Sequence, residues 1–418
     1  MDGAGVVTSR GRGPRVLHVI DQLEQRGGAE TSLLALLPRL AASGQKHAVM
    51  VLRGRVPDGD HLRSAGVGVL EVQGPGSRLS NIRAVRRAMR LFSPDLIHST
   101  LFEADLAARL AGAVDNVPVL ISIVNASYGQ EARSAERVPA WKLGAVRAID
   151  RTLARVGTAH FHAISDSARR HAVEHLRIDP GFTTVIPRGR DPLAMGEVSA
   201  ARRSTVRRRL GWLEDQPVVI NVAREEPQKD HAALVAAFAQ VAVAHPDALL
   251  VLVGRRGRAS DAVDAAIRSS GVSDRIIRLG VRDDVADLLA AADVFVLSSR
   301  YEGLGGVVVE AAAMRLPVVT TAVPAVLEVV GPNYPWVVPV RDVEALAARM
   351  SAILATGPAN RDRIGRQLRR RFEERFELGA AVSATADLYE YLYWETRGHA
   401  RLRRCELAKQ VRTASRPA

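Results

Sequence analysis

The sequence predicts an α/β protein built from two doubly wound parallel sheets. Short β-branched runs alternate with helical stretches, the runs are apolar on both faces, and the series ends and begins again near mid-chain. Strands apolar on both sides belong to parallel sheets covered by helices on each face. A length of 418 residues fits two domains. A hydrophobic share of 47% suffices for two cores.

Residues 1–14 carry no periodic pattern and read as a disordered lead-in. RVLHVI (15–20) is the first strand, followed by a Gly-bearing loop and a helix from about Ala29 to Ser43. HAVMVL (47–52), VGVLEV (67–72), DLIHST (95–100), VPVLISIV (117–124) and HFHAIS (160–165) continue the strands, with helical segments between most of them. FTTVIPRGRDP (182–192) closes this half, so the first domain spans 15–195. The stretch to about Ser204 is rich in Gly, Pro, Ser and Arg and reads as a linker. The second domain, 196–379, has strands at 218–223, 249–254, 275–280, 294–299 and 317–323 with helices between them. A helix at 380–398 and a basic tail at 399–418 complete the chain.

Composition narrows the function. Aromatic residues make up 4%, which argues against a base-stacking nucleic-acid platform. A net charge of +13 points to an anionic partner, or to an arginine-rich solvated surface. Cys405 is the one cysteine, so intrachain disulfides and thiolate zinc sites are excluded. The N-terminal stretch lacks a signal-peptide core, and no window holds the ~18 uncharged apolar residues of a membrane span. The expectation is a cytoplasmic protein whose membrane contact, if any, is peripheral, at the inner face of the cell membrane.

Ligands of doubly wound sheets bind beyond the carboxyl ends of the strands, so a cleft between the two sheets is the expected site. RYEGLGGVVVEAAAMRLPVV (300–319) lies at such an end. A helix starts near Gly305 or Gly306, and its first amides lack intrahelical partners. Glycines let a ligand approach that backbone, and the helix dipole favours an electron-rich one. Glu302 sits in the loop and Glu310 one to two turns into the helix. Carboxylates accept from hydroxyls while amides donate to oxygens, a set suited to a sugar on one side and a ribose on the other. An ordinary loop and helix with a solvated Glu310 explains the same local spacing.

The stretch YEGLGGVVVEAAAMRLPVV resembles the signature of the large retaining glycosyltransferase family 4. The resemblance runs from about residue 15 to 395. It implies the GT-B fold: two facing Rossmann-like domains with an interdomain cleft. In DQLEQRGGAETS, Gly27, Gly28 and Glu30 occupy the first βα loop, which faces the donor diphosphate in the family. In NVAREEPQKDHAALVAAF, Arg224 and Lys229 match the Arg and Lys pair that clamps the diphosphate. Two cations there suit charge-assisted phosphate contacts. LLVLVGRRG with Gly254, and the segment around Val281 and Arg282, resemble the base-side elements. The implied roles are catalytic for Arg224, Lys229 and Glu302. Donor binding is implied for Gly27, Gly28, Gly254, Arg282, Gly303, Leu304, Gly305, Gly306 and Glu310. The implied reaction moves a sugar from a nucleotide diphosphate sugar to a glycan or lipid-linked acceptor, with retention and without metal, in cell-surface polysaccharide or glycolipid synthesis. A nucleotide-sugar epimerase or a non-catalytic GT-B scaffold stands as the alternative. Nucleic acid is not an expected partner. Departures from the family pattern are Arg315 for a glycine, Pro324 and Ala325 for a glycine pair, Arg188 for an asparagine, and Val124 or Asn125 for a histidine.

Other motifs compete. His171, Glu174 and His175 match H-x-x-E-H, a zinc pattern, or form a polar helix face. Asp58 and Asp60 form a DxD in what reads as a solvated turn. NIRAVRRAMRLF (81–92) sets Arg83, Arg86, Arg87 and Arg90 at helical spacing, for an anionic membrane or simply for solvent.

Overall fold

The computed structural model of the protein describes residues 13–23, 27–72, 76–125 and 139–396. All but residues 13 and 14 of the expected lead-in, and the whole basic tail with Cys405, lie outside the described residues.

The first sheet holds β1 (Arg15–Ile20), β2 (Lys46–Val51), β3 (Gly68–Val69), β4 (Leu96–Thr100), β5 (Val119–Ile123), β6 (His160–Ala163) and β7 (Thr183–Val185). Their order is β3-β2-β1-β4-β5-β6-β7. The second holds β8 (Val218–Val222), β9 (Leu249–Val253), β10 (Ile276–Gly280), β11 (Val294–Leu297), β12 (Val318–Thr321) and β13 (Val337–Val338), in the order β10-β9-β8-β11-β12-β13. Every pairing in both sheets is parallel. Val, Leu and Ile of β8, β9, β11 and β12 are almost fully buried on both faces. These are the continuous apolar runs that the sequence shows, and they place both domains in the doubly wound class.

The order sets the ligand face. In the first sheet the chain leaves β1 for β2 on one side and later returns to β4 on the other. In the second, β8 leads to β9, and β11 returns on the opposite flank. Such reversals open a crevice beyond the strand ends. Gly27 and Gly28 follow β1. Arg224 and Lys229 follow β8, and Glu302 follows β11.

The expected linker is not irregular. Residues Ala200–Leu210 form a helix whose N-cap Ser199 accepts from the Arg202 amide. Arg202 pairs with Asp287, and Arg203 and Arg207 with Asp293, at 2.7–2.8 Å. Ion pairs fasten this helix instead of an apolar stripe, so hydrophobic periodicity did not betray it. The strand expected at 67–72 shortens to Gly68–Val69 because it is an edge, holding one neighbour only. A further helix, Gly357–Arg375, packs on the second domain. The last, Leu378–Thr396, buries Leu388, Tyr389 and Leu392 against Val16, Leu96 and Leu120 of the first sheet.

That return helix covers a row of buried histidines. Tyr389 Oη lies 2.6 Å from His98 Nδ1, and His98 Nε2 lies 2.7 Å from Ser122 Oγ. His18 Nε2 and His47 Nδ1 are 3.1 Å apart. Burial holds these imidazoles neutral, with His47 pushed down to about 4 and His18 and His98 well below the usual range.

Candidate active site

The loops after β8 and β11 are stitched together. Ser298 donates to the Lys229 carbonyl at 2.7 Å, and the Arg300 amide donates to the Gln228 carbonyl at 2.8 Å. Lys229 Nζ stands 2.5 Å from Glu302 Oε1, which also accepts from Ser299 Oγ at 2.6 Å. Glu302 is buried. It therefore aims and compensates Lys229 while holding the loop. The Arg224 side chain is exposed and makes no hydrogen bond or ion pair with the described residues.

The glycines of the β11 loop divide the work. Gly305 has φ +83 and caps the helix Gly306–Ala313, a backbone that a side chain would strain. A Cβ on Gly303 would stand 2.1 Å from the Val124 carbonyl oxygen, so this glycine admits the first domain's backbone. Leu304 turns its side chain into the core. A Cβ on Gly306 would lie 2.6 Å from Arg190 Nη2. One turn on, Glu310 Oε1 accepts from Arg190 Nε at 2.7 Å.

Two further contacts join the domains. Ser165 Oγ donates to the Gly303 carbonyl at 2.6 Å. Glu328 accepts from the Asp166 and Ser167 amides at 2.8 and 2.6 Å, at the N-terminus of the helix Asp166–Leu176. A carboxylate there meets both free amides and the positive helix end.

Beyond β8, β9 and β10 lies a cavity of about 250 Å³ lined by Glu225, His231, Gly254, Arg278 and Gly280. Gly254 has φ +140, and a Cβ there would strike the Ala223 carbonyl at 2.0 Å. Arg278 pairs with the buried Glu225 and with Asp264. Arg282 stands at the end of β10, tied to Asp284 at 2.7 Å. On the opposite wall Gly27 caps the helix Gly28–Ala42 and abuts the Glu30 carboxylate, while Gly28 faces open space.

The comparisons with known proteins bear on the family and the fold. Residues 26–192 match Glycosyltransferase Family 4, and residues 202–371 match Glycosyl transferases group 1. The chain belongs to the family 4 glycosyltransferases. A mannosyltransferase of Corynebacterium glutamicum, named as GDP-mannose-dependent and acting on a monoacylated phosphatidylinositol monomannoside, is 31% identical over 40% of this chain. The match spans 46% of that relative, less than half of its length. The D-inositol 3-phosphate glycosyltransferase of Kineococcus radiotolerans is 28% identical over 71% of each chain. Anabaena Alr3699/HepE, solved with UDP and glucose, superposes with a TM-score of 0.77 at 19% identity, over 90% of this chain and 99% of that one. This last likeness establishes the two-domain GT-B fold.

Several contacts in this glycosyltransferase escaped sequence reasoning. Arg190, Glu225 and Ser165 bring polar side chains to the site, and their partners Glu310, Ser32, Arg278 and Gly303 lie 53 to 158 residues away, so no local pattern marks them. The single hint was VIPRGRD, two arginines around a glycine after a strand. The departures find places too. Arg315 takes φ +55 at the exposed end of the Gly306–Ala313 helix, and Pro324 opens a new helix over Pro324–Val330. The competing motifs stay apart from the cleft loops. His171 and His175 meet edge to face with ring centres 4.2 Å apart, and Asp60 pairs with Arg63 at 2.9 Å. Among the described residues no group of three or more His, Cys, Asp or Glu is placed to hold a metal ion.

Proposed function

We propose that this glycosyltransferase moves a sugar from a nucleotide diphosphate sugar to an acceptor, with retention of configuration. The observation that carries the reading is the assembly at the β8/β11 reversal. There the free Arg224 and the Glu302-bound Lys229 stand with the uncapped amides of the Gly306–Ala313 helix. Cations and amide donors aimed at one place stabilise the charge that develops on a departing diphosphate. Arg224 and Lys229 bind the diphosphate and stabilise it as it leaves. The Gly303–Gly306 backbone orients the sugar, and Glu310 accepts from the ribose hydroxyls. The cavity at Gly254 and Gly280 takes the base. The leaving phosphate oxygen takes the acceptor proton on the same face, which gives retention. The name of the mannosyltransferase relative, which acts on a phosphatidylinositol monomannoside, supports an acceptor drawn from glycolipid synthesis.

The test has two stages. A panel of UDP and GDP sugars is screened by thermal shift, since ligand-linked stabilisation grows with occupancy. The stabilising donor is then supplied with candidate acceptors, and the anomeric proton of the product is followed by NMR. An α-linked product from an α-linked donor supports the reading. Epimerised nucleotide sugar, inverted product, or no stabilisation by any donor refutes it.

A further inference from the structure

Beyond the carboxyl end of β7 stands a cation that no described residue satisfies. Arg188 follows β7 in the segment 187–191 and is partly buried. It makes no hydrogen bond or ion pair with any described residue. Its pKa is pushed down to about 10, first by burial and then by Arg190, with only Glu30 opposing. Burial holds His98 in β4 and His162 in β6 well below the usual range, and the Arg188 charge lowers both a little more. Those imidazoles are neutral and give it nothing.

The turn cannot relax to release it. A Cβ on Gly189 would stand 2.5 Å from Leu378 Cα. The Arg190 amide donates to the Phe376 carbonyl at 2.8 Å, and the Leu378 amide donates to the Arg190 carbonyl at 2.9 Å. The strand entering the return helix therefore fixes the turn. Arg190 is neutralised by Glu310, whereas Arg188 is left over. An arginine does not shed its proton when buried, and a desolvated charge without a partner is costly. Such a charge suits an oxyanion that arrives from outside.

We infer that Arg188 is an oxyanion receptor on the first-domain wall of the cleft, and that the ligand seated there presents a phosphate group to it. The inference rests on the glycosyltransferase reading of the cleft and adds a third cation to it, on the opposite domain from Arg224 and Lys229. The phosphate belongs either to the donor diphosphate or to a phosphorylated acceptor, and the experiment separates the two.

Wild type, Arg188→Gln and Arg188→Lys are compared in phosphate-free buffer by thermal unfolding and calorimetry. The probes are inorganic phosphate, pyrophosphate, UDP and GDP. Without ligand, Arg188→Gln melts at or above the wild-type temperature, because an unpaired charge has been removed; a merely structural arginine would give a lower melting temperature. Phosphate and pyrophosphate bind wild type at least tenfold tighter than Arg188→Gln, and Arg188→Lys recovers part of the difference. If UDP and GDP weaken in parallel, the donor diphosphate is the source. If they bind both proteins equally while phosphate added on saturating nucleotide still distinguishes them, the acceptor is. Equal phosphate and pyrophosphate binding by wild type and Arg188→Gln, or none by either, overturns the inference. So does a glutamine variant that is less stable than wild type without ligand. None of these readouts needs sugar transfer, so they stand even if the proposed reaction fails.

Discussion

Arg190 of the first domain donates from Nε to Glu310 of the second across 2.7 Å, and its Nη1 reaches Ser32 Oγ at 3.1 Å. One side chain thus ties the carboxylate proposed for the ribose to the helix that carries Gly28. Both partners are largely buried, so the pair is screened less than a surface bridge. A ribose that takes Glu310 shares it with Arg190 or displaces it. On the proposed role of Glu310, donor binding and the contact between the domains would be coupled at one carboxylate.

Glu310→Ala removes that carboxylate. The loss of a charged hydrogen-bonding site, about 1.5–3 kcal/mol, weakens nucleotide binding roughly ten- to a hundred-fold. Calorimetry with the nucleotide of the stabilising donor measures it. A folded variant with wild-type affinity would show that the ribose lies elsewhere.

Glu302→Ala leaves Lys229 without its anion in a mostly buried loop. Breaking such a pair costs about 3 kcal/mol, because the remaining charge is uncompensated. The urea midpoint of the second domain falls accordingly. Turnover falls more than donor affinity does, since Lys229 loses its aim at the leaving diphosphate while Arg224 remains. An unchanged midpoint would mean that the pair is dispensable.

Much of this was legible in the chain. The strand runs were apolar enough to give both sheets, and the glycine-rich stretch ahead of Glu310 marked a helix start bare of caps. What escaped follows from physics. The helix Ala200–Leu210 is held by arginine–aspartate pairs, which leave no hydrophobic period to read. Arg190 acquires meaning only opposite Glu310, 120 residues away. Gly303 looked like a glycine for a ligand, but its missing side chain makes room for the Val124 carbonyl.

Acid destabilises the first domain. His47, His160 and His162 are pushed down to about 4, chiefly by burial, and burial also holds His18 and His98 well below the usual range. A histidine whose folded pKa lies below its unfolded value binds its proton more readily when unfolded. Its stabilising contribution is whole above about 6.5 and is lost as pH falls toward 4, about 3 kcal/mol for each of His47, His160 and His162. Asp105, raised to about 7, and Asp21, raised to about 6, act in the opposite sense, but they are outnumbered. The urea midpoint should drop between pH 6.5 and 4.5, less steeply in a folded His98→Asn variant. A flat or rising profile contradicts the neutral histidine row.

Turnover survives exhaustive chelation. Arg224 and Lys229 supply positive charge where a divalent ion would otherwise neutralise the diphosphate. The measurement is transfer rate after dialysis against EDTA, with and without added magnesium or manganese. Restoration of a lost rate by either ion would place a metal in the mechanism.

If the acceptor is borne on lipid, the basic helix of the first domain is the surface proposed to meet the membrane. Within Arg78–Phe92, Ala84, Val85, Ala88 and Met89 face the core, while Arg83, Arg87 and Arg90 are exposed. Arg86 is already held by Asp115 at 2.8 Å. Leu79 and Leu91, 67% and 63% exposed, lie at the two ends of the same helix. Each free arginine near an anionic surface contributes about 1 kcal/mol, so three give an attachment that is reversible and weakened by salt. Phosphatidylglycerol vesicles should sediment the protein at low salt and release it at moderate salt, while phosphatidylcholine vesicles leave it in solution. Replacing Arg83, Arg87 and Arg90 by glutamine should lower vesicle affinity roughly a hundred-fold by that estimate, whereas Arg86→Gln acts mainly on stability. Equal binding to both lipids, or full retention by the triple variant, would assign these arginines to solvent alone.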